Sequence, residues 1–265
     1  MSDGAQHAKL SVHGLRKVFD GTSGEVVALD GVDFDIAEKE FVTVIGTSGC
    51  GKSTLLSIIA GLQEETDGVV LVDGEYVLAP GRDRGVVFQT YTLFPWMTAQ
   101  KNVEFALRGP SSERTEVARE HLKLVGLERF ADAYPRQLSG GMRQRVAIAR
   151  ALSYRPKVLL MDEPFGALDA QTRQLMQELL TKVWEEHRLT VMFVTHDIDE
   201  AVFLSDRVLV MTARPGRIKE TLPIGVERPR TFEVLSSPEF FEYKSQLLGS
   251  VREESLRAAE VEAIP

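Results

Sequence analysis

The chain has 265 residues, 43% of them hydrophobic and 26% charged, with a formal net charge of −8. Such a length can bury a sizeable core, and the acidic balance argues against a sequence-independent nucleic-acid binder, which presents a basic face. One cysteine, Cys50, excludes an intrachain disulfide and fits a reducing compartment. No apolar stretch reaches 18 residues, and the first ten residues read without a signal-peptide core, so any work at a membrane needs a partner.

Leu10–His13, Val26–Leu29, Phe34–Ile36 and Phe41–Ile45 read as short strands, with Asp30-Gly31 and Asp73-Gly74 as turn signals. Phe41–Ile45 is apolar and β-branched throughout, as a buried strand should be, and it runs into a glycine loop. Ser53–Leu62 follows as a helix with Leu55, Leu56, Ile58 and Ile59 on one face and Gly61 near its end. Gly85–Phe88 is a strand ending at Gln89. From about 98 to 155 the pattern is helical: Thr98 caps one helix, Ser112–Val125 forms a second and Gly141–Ser153 a third. Val158–Met161, Thr190–Thr195 and Val208–Met211 then alternate as strands with helices Thr172–His187 and Ile198–Leu204. Residues 214–230 carry three prolines and turn residues, and a helical tail starts near Pro238. Strands alternating with helices on either side of a helical stretch predict an α/β core with an inserted helical subdomain.

Gly46-Thr47-Ser48-Gly49-Cys50-Gly51-Lys52-Ser53-Thr54 carries the strongest signal. A phosphate chain needs converging backbone N–H groups, and glycines at 46, 49 and 51 permit the turns that deliver them. Lys52 supplies a cation for the β- and γ-phosphates, Ser53 a hydroxyl for Mg²⁺, and the following helix its positive end. The pattern predicts ATP and Mg²⁺ as ligands. Cys50, inside the loop, is expected to be a thiol whose modification blocks ATP binding and which ATP protects. Val158–Met161 ends in Asp162 and Glu163, which suit metal holding through water and activation of a water near the γ-phosphate. Ser139, Gly140 and Gly141 precede a helix and form a second anion cradle. One nucleotide does not need two cradles, so the second serves the ATP of another molecule.

LSGGMRQR at 138–145, MDEPFGALD at 161–169 and VTHD at 194–197, together with the glycine loop, resemble the ATP-binding subunits of ABC transporters over residues 9–225. The resemblance implies a P-loop, RecA-like core, an antiparallel β subdomain and a helical subdomain at about 90–156, together spanning 9–230, with a helical tail at 231–265. It also implies residue roles. Phe19 stacks on adenine; Gln89 contacts Mg²⁺ and the attacking water; Glu163, His196, Gln89 and Lys52 serve catalysis; Ser53, Gln89 and Asp162 hold the metal. Ser139–Gly141 close on the partner copy's γ-phosphate, Asp169 meets its twin across the dimer, and His196 contacts the γ-phosphate. The signature commonly ends in Gln where Met142 stands here.

Thr90–Thr98 is rich in aromatic and apolar residues and reads as a groove for a short helix of a membrane subunit. With Ala213-Arg214-Pro215-Gly216-Arg217-Ile218 and the short tail, it resembles the nitrate, sulfonate and taurine import branch. The implied protein is an ATPase at the cytoplasmic face of the inner membrane, peripheral, working as a homodimer with integral permease subunits and, indirectly, a solute-binding protein. No nucleic-acid partner is expected. A non-transport ABC ATPase is the alternative. Repair types carry a long coiled coil between glycine loop and signature, whereas this interval is about 85 residues without sustained heptads, and translation types carry two cassettes. A nucleotide sensor without turnover fits poorly with Glu163 and His196 in place.

Overall fold

The structure, a computed structural model, describes residues 8–21 and 24–262. The N-terminal segment before Ala8, read above as lacking a signal core, and the last three residues of the expected tail lie outside the described residues. The chain divides into two compact units, one made of residues up to Gly81 and from Leu189 onward, the other of Arg82–Arg188.

The first unit opens with β1 (Ala8–Gly21) and β2 (Gly24–Ala37), then β3 (Phe41–Ile45), α1 (Lys52–Ile59), β4 (Asp67–Val72) and β5 (Glu75–Tyr76). The second contains β6 (Arg84–Val87), α2 (Ala99–Glu104), α3 (Ser111–Leu124), α4 (Gly140–Ser153), β7 (Val158–Asp162) and α5 (Ala170–His187). The chain then returns to the first unit with β8 (Thr190–Val194), α6 (Ile198–Leu204), β9 (Arg207–Met211), β10 (Ile218–Pro223) and α7 (Pro238–Glu262).

Two sheets build the first unit. One is antiparallel, in the order β2-β1-β4-β5. In the other, β3 pairs in parallel with both β8 and β9, and β10 closes the β9 edge antiparallel. Every residue of β3 and β8 is buried, as strands covered on both faces require. In the second unit β6 and β7 pair in parallel, Arg84 opposite Val158. Its helices enclose a separate apolar core that includes Val103, Leu122, Leu127, Leu138 and Val146.

Local chemistry explains most element ends. Thr98, Ser139, Asp169 and Asp197 each accept a backbone N–H in the first turn of α2, α4, α5 and α6. Asp73 and Gly74 both take left-handed backbone, which suits the two-residue connection of β4 to β5. Asp30-Gly31, expected as a turn, instead lies inside β2, where left-handed Gly31 falls in a stretch of irregular register with β1. The two short strands expected there are one element. β10 is hidden by the prolines in and around it, since 214–230 reads as turns, yet Pro223, the one inside it, falls at its last position. Among the described residues between glycine loop and signature, the longest helix is α3, with 14 residues, so no long coiled coil lies there.

Arg230 fastens the end of α6. Its guanidinium is 5% exposed and donates to the carbonyls of Val202, Phe203 and Ser205 at 2.9, 3.1 and 2.7 Å, and to that of Val226. Those of Val202 and Phe203 are among the carbonyls the end of α6 leaves over. Burial, and Arg228 nearby, push its pKa down to about 10. Arg230→Met leaves several buried carbonyls unpaired, and we expect a loss of roughly 3 kcal/mol. Calorimetry should show a melting temperature lower by roughly 5–10 °C; an unchanged midpoint refutes the clamp.

Candidate functional site

The glycine loop and His196 belong to the first unit; Gln89, Ser139–Gly141, Asp162, Glu163 and Asp169 belong to the second. In the first, β3 delivers the chain into the loop and α1 carries it away. Gly49 and Gly51 take φ of 75° and 105°, a region closed to most side chains. Gly46 is glycine for another reason: a Cβ there would stand 2.8 Å from Cys50 Sγ and 3.2 Å from Met211. α1 has no side-chain cap and no acidic residue in its first turn, so its positive end is open to an anion. The Lys52 ammonium curls into the loop, donating to the Gly46 and Thr47 carbonyls at 2.9 Å each.

Cys50 corrects the expectation of a reactive thiol. It is fully buried, and burial pushes its pKa up despite the neighbouring Lys52 ammonium. A buried, protonated thiol is a poor nucleophile. With one cysteine in the chain, a thiol-reagent titration is unambiguous. The native protein should react at least about tenfold more slowly than the denatured one; equal rates would show an open loop.

Phe19 lies near the end of β1 and is 36% exposed, with the Lys17 ammonium 5.2 Å from its ring centroid. His196 is exposed, two residues past the end of β8. Its neighbours are anchored: the Thr195 hydroxyl donates to Glu200 at 2.6 Å and accepts the Asp197 N–H at 3.0 Å, and Asp197 caps α6. Glu200 carries no signal in the sequence beyond its place one turn into a helix.

In the second unit Glu163 takes left-handed backbone, φ 42°, immediately after the β7 residue Asp162. Such a conformation is costly for a non-glycine residue and persists where the surroundings enforce it. Gln89 Nε2 and Glu163 Oε2 stand 3.7 and 3.8 Å from the position a Gly166 Cβ would take, so the structure brings these two side chains together. Ser139 caps α4 by accepting the Met142 N–H at 3.3 Å. The Met142 side chain packs on the helical core, which gives the unusual residue an apolar role. The signature and the Asp169 loop also meet. Asp169 caps α5 through the Thr172 N–H at 3.0 Å, and the Thr172 methyl lies 2.4 Å from where a Gly141 Cβ would be. Thr172, by its backbone N–H first and then by its hydroxyl, holds the Asp169 carboxyl below its usual range.

Beyond Gln89, residues 91–98 are held from several sides. Arg143 lies over the Tyr91 ring, Arg150 donates to both the carbonyl and the hydroxyl of Thr92 at 2.8 Å, and buried Asn102 bonds Phe94, Met97 and Thr98. Trp96 and Phe105 stay 70% and 60% exposed beside a hollow of about 510 Å³ that Lys101, Glu104 and Tyr134 also line.

The Gly141 contact allows a sharp test. Gly141→Ala should lower the melting temperature and remove ATP turnover, because the new methyl meets the Thr172 methyl inside van der Waals distance. Adding Thr172→Ala, which keeps the backbone bond to Asp169 and gives up only the hydroxyl one, should restore at least part of both. A double variant as damaged as the single one would show that the methyl contact is not the cause.

The match of sequence to known proteins agrees with this arrangement. The family model described as ABC transporter matches residues 29–166. An uncharacterised ABC transporter ATP-binding protein of Methanocaldococcus jannaschii is 56% identical over 94% of this chain and 94% of its own. A nitrate import ATP-binding protein of Synechocystis is 50% identical, over 92% of this chain and 95% of its own. A bicarbonate transport ATP-binding protein of Synechococcus elongatus is 49% identical over 90% of this chain, which spans 37% of that longer relative. Among solved structures, a dimeric ATP-binding cassette in a post-hydrolysis state with ADP and Pi superposes with a TM-score of 0.72 at 38% identity, over 84% of this chain and all of the other. The chain belongs to the ABC transporter family, as one of its ATP-binding, ATP-hydrolysing subunits with a P-loop ATPase fold.

Proposed function

We propose that this subunit drives an importer of a small solute, of the nitrate, sulfonate, taurine or bicarbonate kind. What supports the branch is the pair of relatives that serve nitrate import and bicarbonate transport over almost the whole of this chain. What supports the chemistry is the uncapped start of α1 behind a glycine loop that carries Lys52.

In this reading the N–H groups of Gly46–Thr54 cradle the phosphates, and Lys52 exchanges its carbonyl partners for phosphate oxygens. Phe19 stacks on adenine. Glu163 accepts the proton of the water that attacks the γ-phosphorus, while Gln89 orients that water and His196 bonds the γ-phosphate. The Ser53 hydroxyl, the Gln89 carbonyl and the Asp162 carboxylate are hard oxygen donors, and no cluster of three metal-binding His, Cys, Asp or Glu exists among the described residues. That set suits Mg²⁺, which keeps waters and phosphate oxygens rather than a protein cage. Mg²⁺ held there would neutralise charge on the phosphates.

The working form is a homodimer in which Ser139–Gly141 of one copy close on the ATP of the other and the two Asp169 loops meet. Among the described residues no helix is long and apolar enough to cross a membrane. In this reading the subunit attaches to the cytoplasmic face of the inner membrane through permease subunits, seated at the Trp96 and Phe105 hollow, with a solute-binding protein acting through them. Two variants test the motor. Lys52→Ala should lose ATP turnover by at least about 100-fold. Glu163→Gln should bind ATP without hydrolysing it and elute as a dimer from a sizing column; a monomer at saturating ATP overturns the sandwich.

A further inference from the structure

The turn Thr212–Arg217 forms part of the bed of the glycine loop. A Cβ on Gly216 would stand 2.2 Å from the Cys50 carbonyl oxygen, and one on Gly46 would stand 3.2 Å from the Met211 carbonyl oxygen just before the turn. The turn is stiff. The Thr212 hydroxyl donates to the Pro215 carbonyl at 2.8 Å and accepts the Arg217 N–H at 2.9 Å. Gly216 also exchanges backbone bonds with the β2 stretch, donating to Ala28 and accepting from Asp30. Arg214 adds a long contact to the Gly49 carbonyl, 3.4 Å.

The other side of this turn is gripped by α7. Glu254, 1% exposed, accepts the Ala213 N–H at 2.9 Å. Its other oxygen takes Lys219 at 2.9 Å and Arg257 at 3.1 Å. Burial pushes this carboxyl up, but the Ala213 N–H, Lys219 and Arg257 outweigh it and hold it below its usual range. α7 is itself tied to β10 and α6 by Lys219–Glu253 and Lys244–Asp199 pairs of 2.6 and 2.7 Å. A buried carboxylate is a poor way to glue a helix down, since an apolar side chain of like volume does as well or better. What it adds is a strong, directed acceptor aimed at one backbone N–H. That N–H sits three residues from the glycine packed on the phosphate loop.

We propose that α7 sets the affinity of the glycine loop for nucleotide, with Glu254 as the positioning residue acting through the turn Thr212–Arg217. The coupling is reciprocal: nucleotide in the loop steadies the turn and α7, and a force that lifts α7 loosens the nucleotide. The inference rests on the reading that Gly46–Thr54 holds the phosphates of ATP.

The test uses the full chain, with ATP binding and turnover measured well below the melting temperature. Glu254→Ala should weaken ATP binding by about fivefold or more while kcat stays within about twofold. Glu254→Gln keeps an acceptor oxygen for Ala213 and should return the affinity to within about twofold of wild type, although its charge is gone. Wild-type affinity in Glu254→Ala, or a Gln variant as weak as the Ala one, overturns the proposal. A second measurement needs no variant: hydrogen exchange of the wild type with and without ATP. Amides around Ala213 and around Glu254 should slow on ATP addition, and slowing confined to the loop and α1 overturns the proposal too. Lys52→Ala separates the layers. If the wild type binds no ATP, or binds it as well without Lys52, the reading of the loop fails; if ATP binding needs Lys52 but ignores Glu254, only the role of α7 fails.

Discussion

A helix N-terminus without a side-chain cap depends on partners from outside the helix, and α1 begins that way. The chain caps α2, α4, α5 and α6 with a side-chain oxygen, whereas α3 and, at the glycine loop, α1 start without one. An oxygen placed there would compete with phosphate for the same N–H groups and repel its charge. The loop must then keep its shape by other means. It does so with an ammonium folded onto its own carbonyls, a buried thiol under Gly46, and a turn from the far end of the chain packed against Cys50.

The second unit solves a related problem with tight packing. Its signature glycine is shaped by the Thr172 methyl, and Thr172 is also the residue whose N–H satisfies Asp169. The backbone proposed to meet a second copy is thereby fixed as one piece. Gln89 and Glu163 both approach Gly166, a residue with no side chain to keep them away. The left-handed Glu163 completes this arrangement at a cost of order 1–3 kcal/mol.

Much of this was legible beforehand because it is local. The buried strands β3, β7 and β8 announce themselves by unbroken apolar runs, and helices α2 and α4 by their caps. The loop motif could be placed because its mechanism demands a strand before and a helix after. What was illegible depends on distant residues. Nothing near Asp30-Gly31 tells a hairpin turn from an irregular step inside one long strand, since the choice is made by pairing with β1. The prolines of 214–230 hid β10, which needs β9 as its partner to exist. The burial of Cys50 follows from Met211 and Gly216, far along the chain, and Glu254 is one acidic residue among several in an ordinary amphipathic tail.

The sealed thiol has a practical side. A protein whose native cysteine is out of reach accepts an introduced one as its only reactive handle, with the native loop left intact. A spin label or fluorophore could then be set on exposed positions such as Arg136 or Gln171 without first engineering a cysteine-free background. Distances between two copies, and their change with nucleotide, would become measurable by spectroscopy on an otherwise unaltered chain.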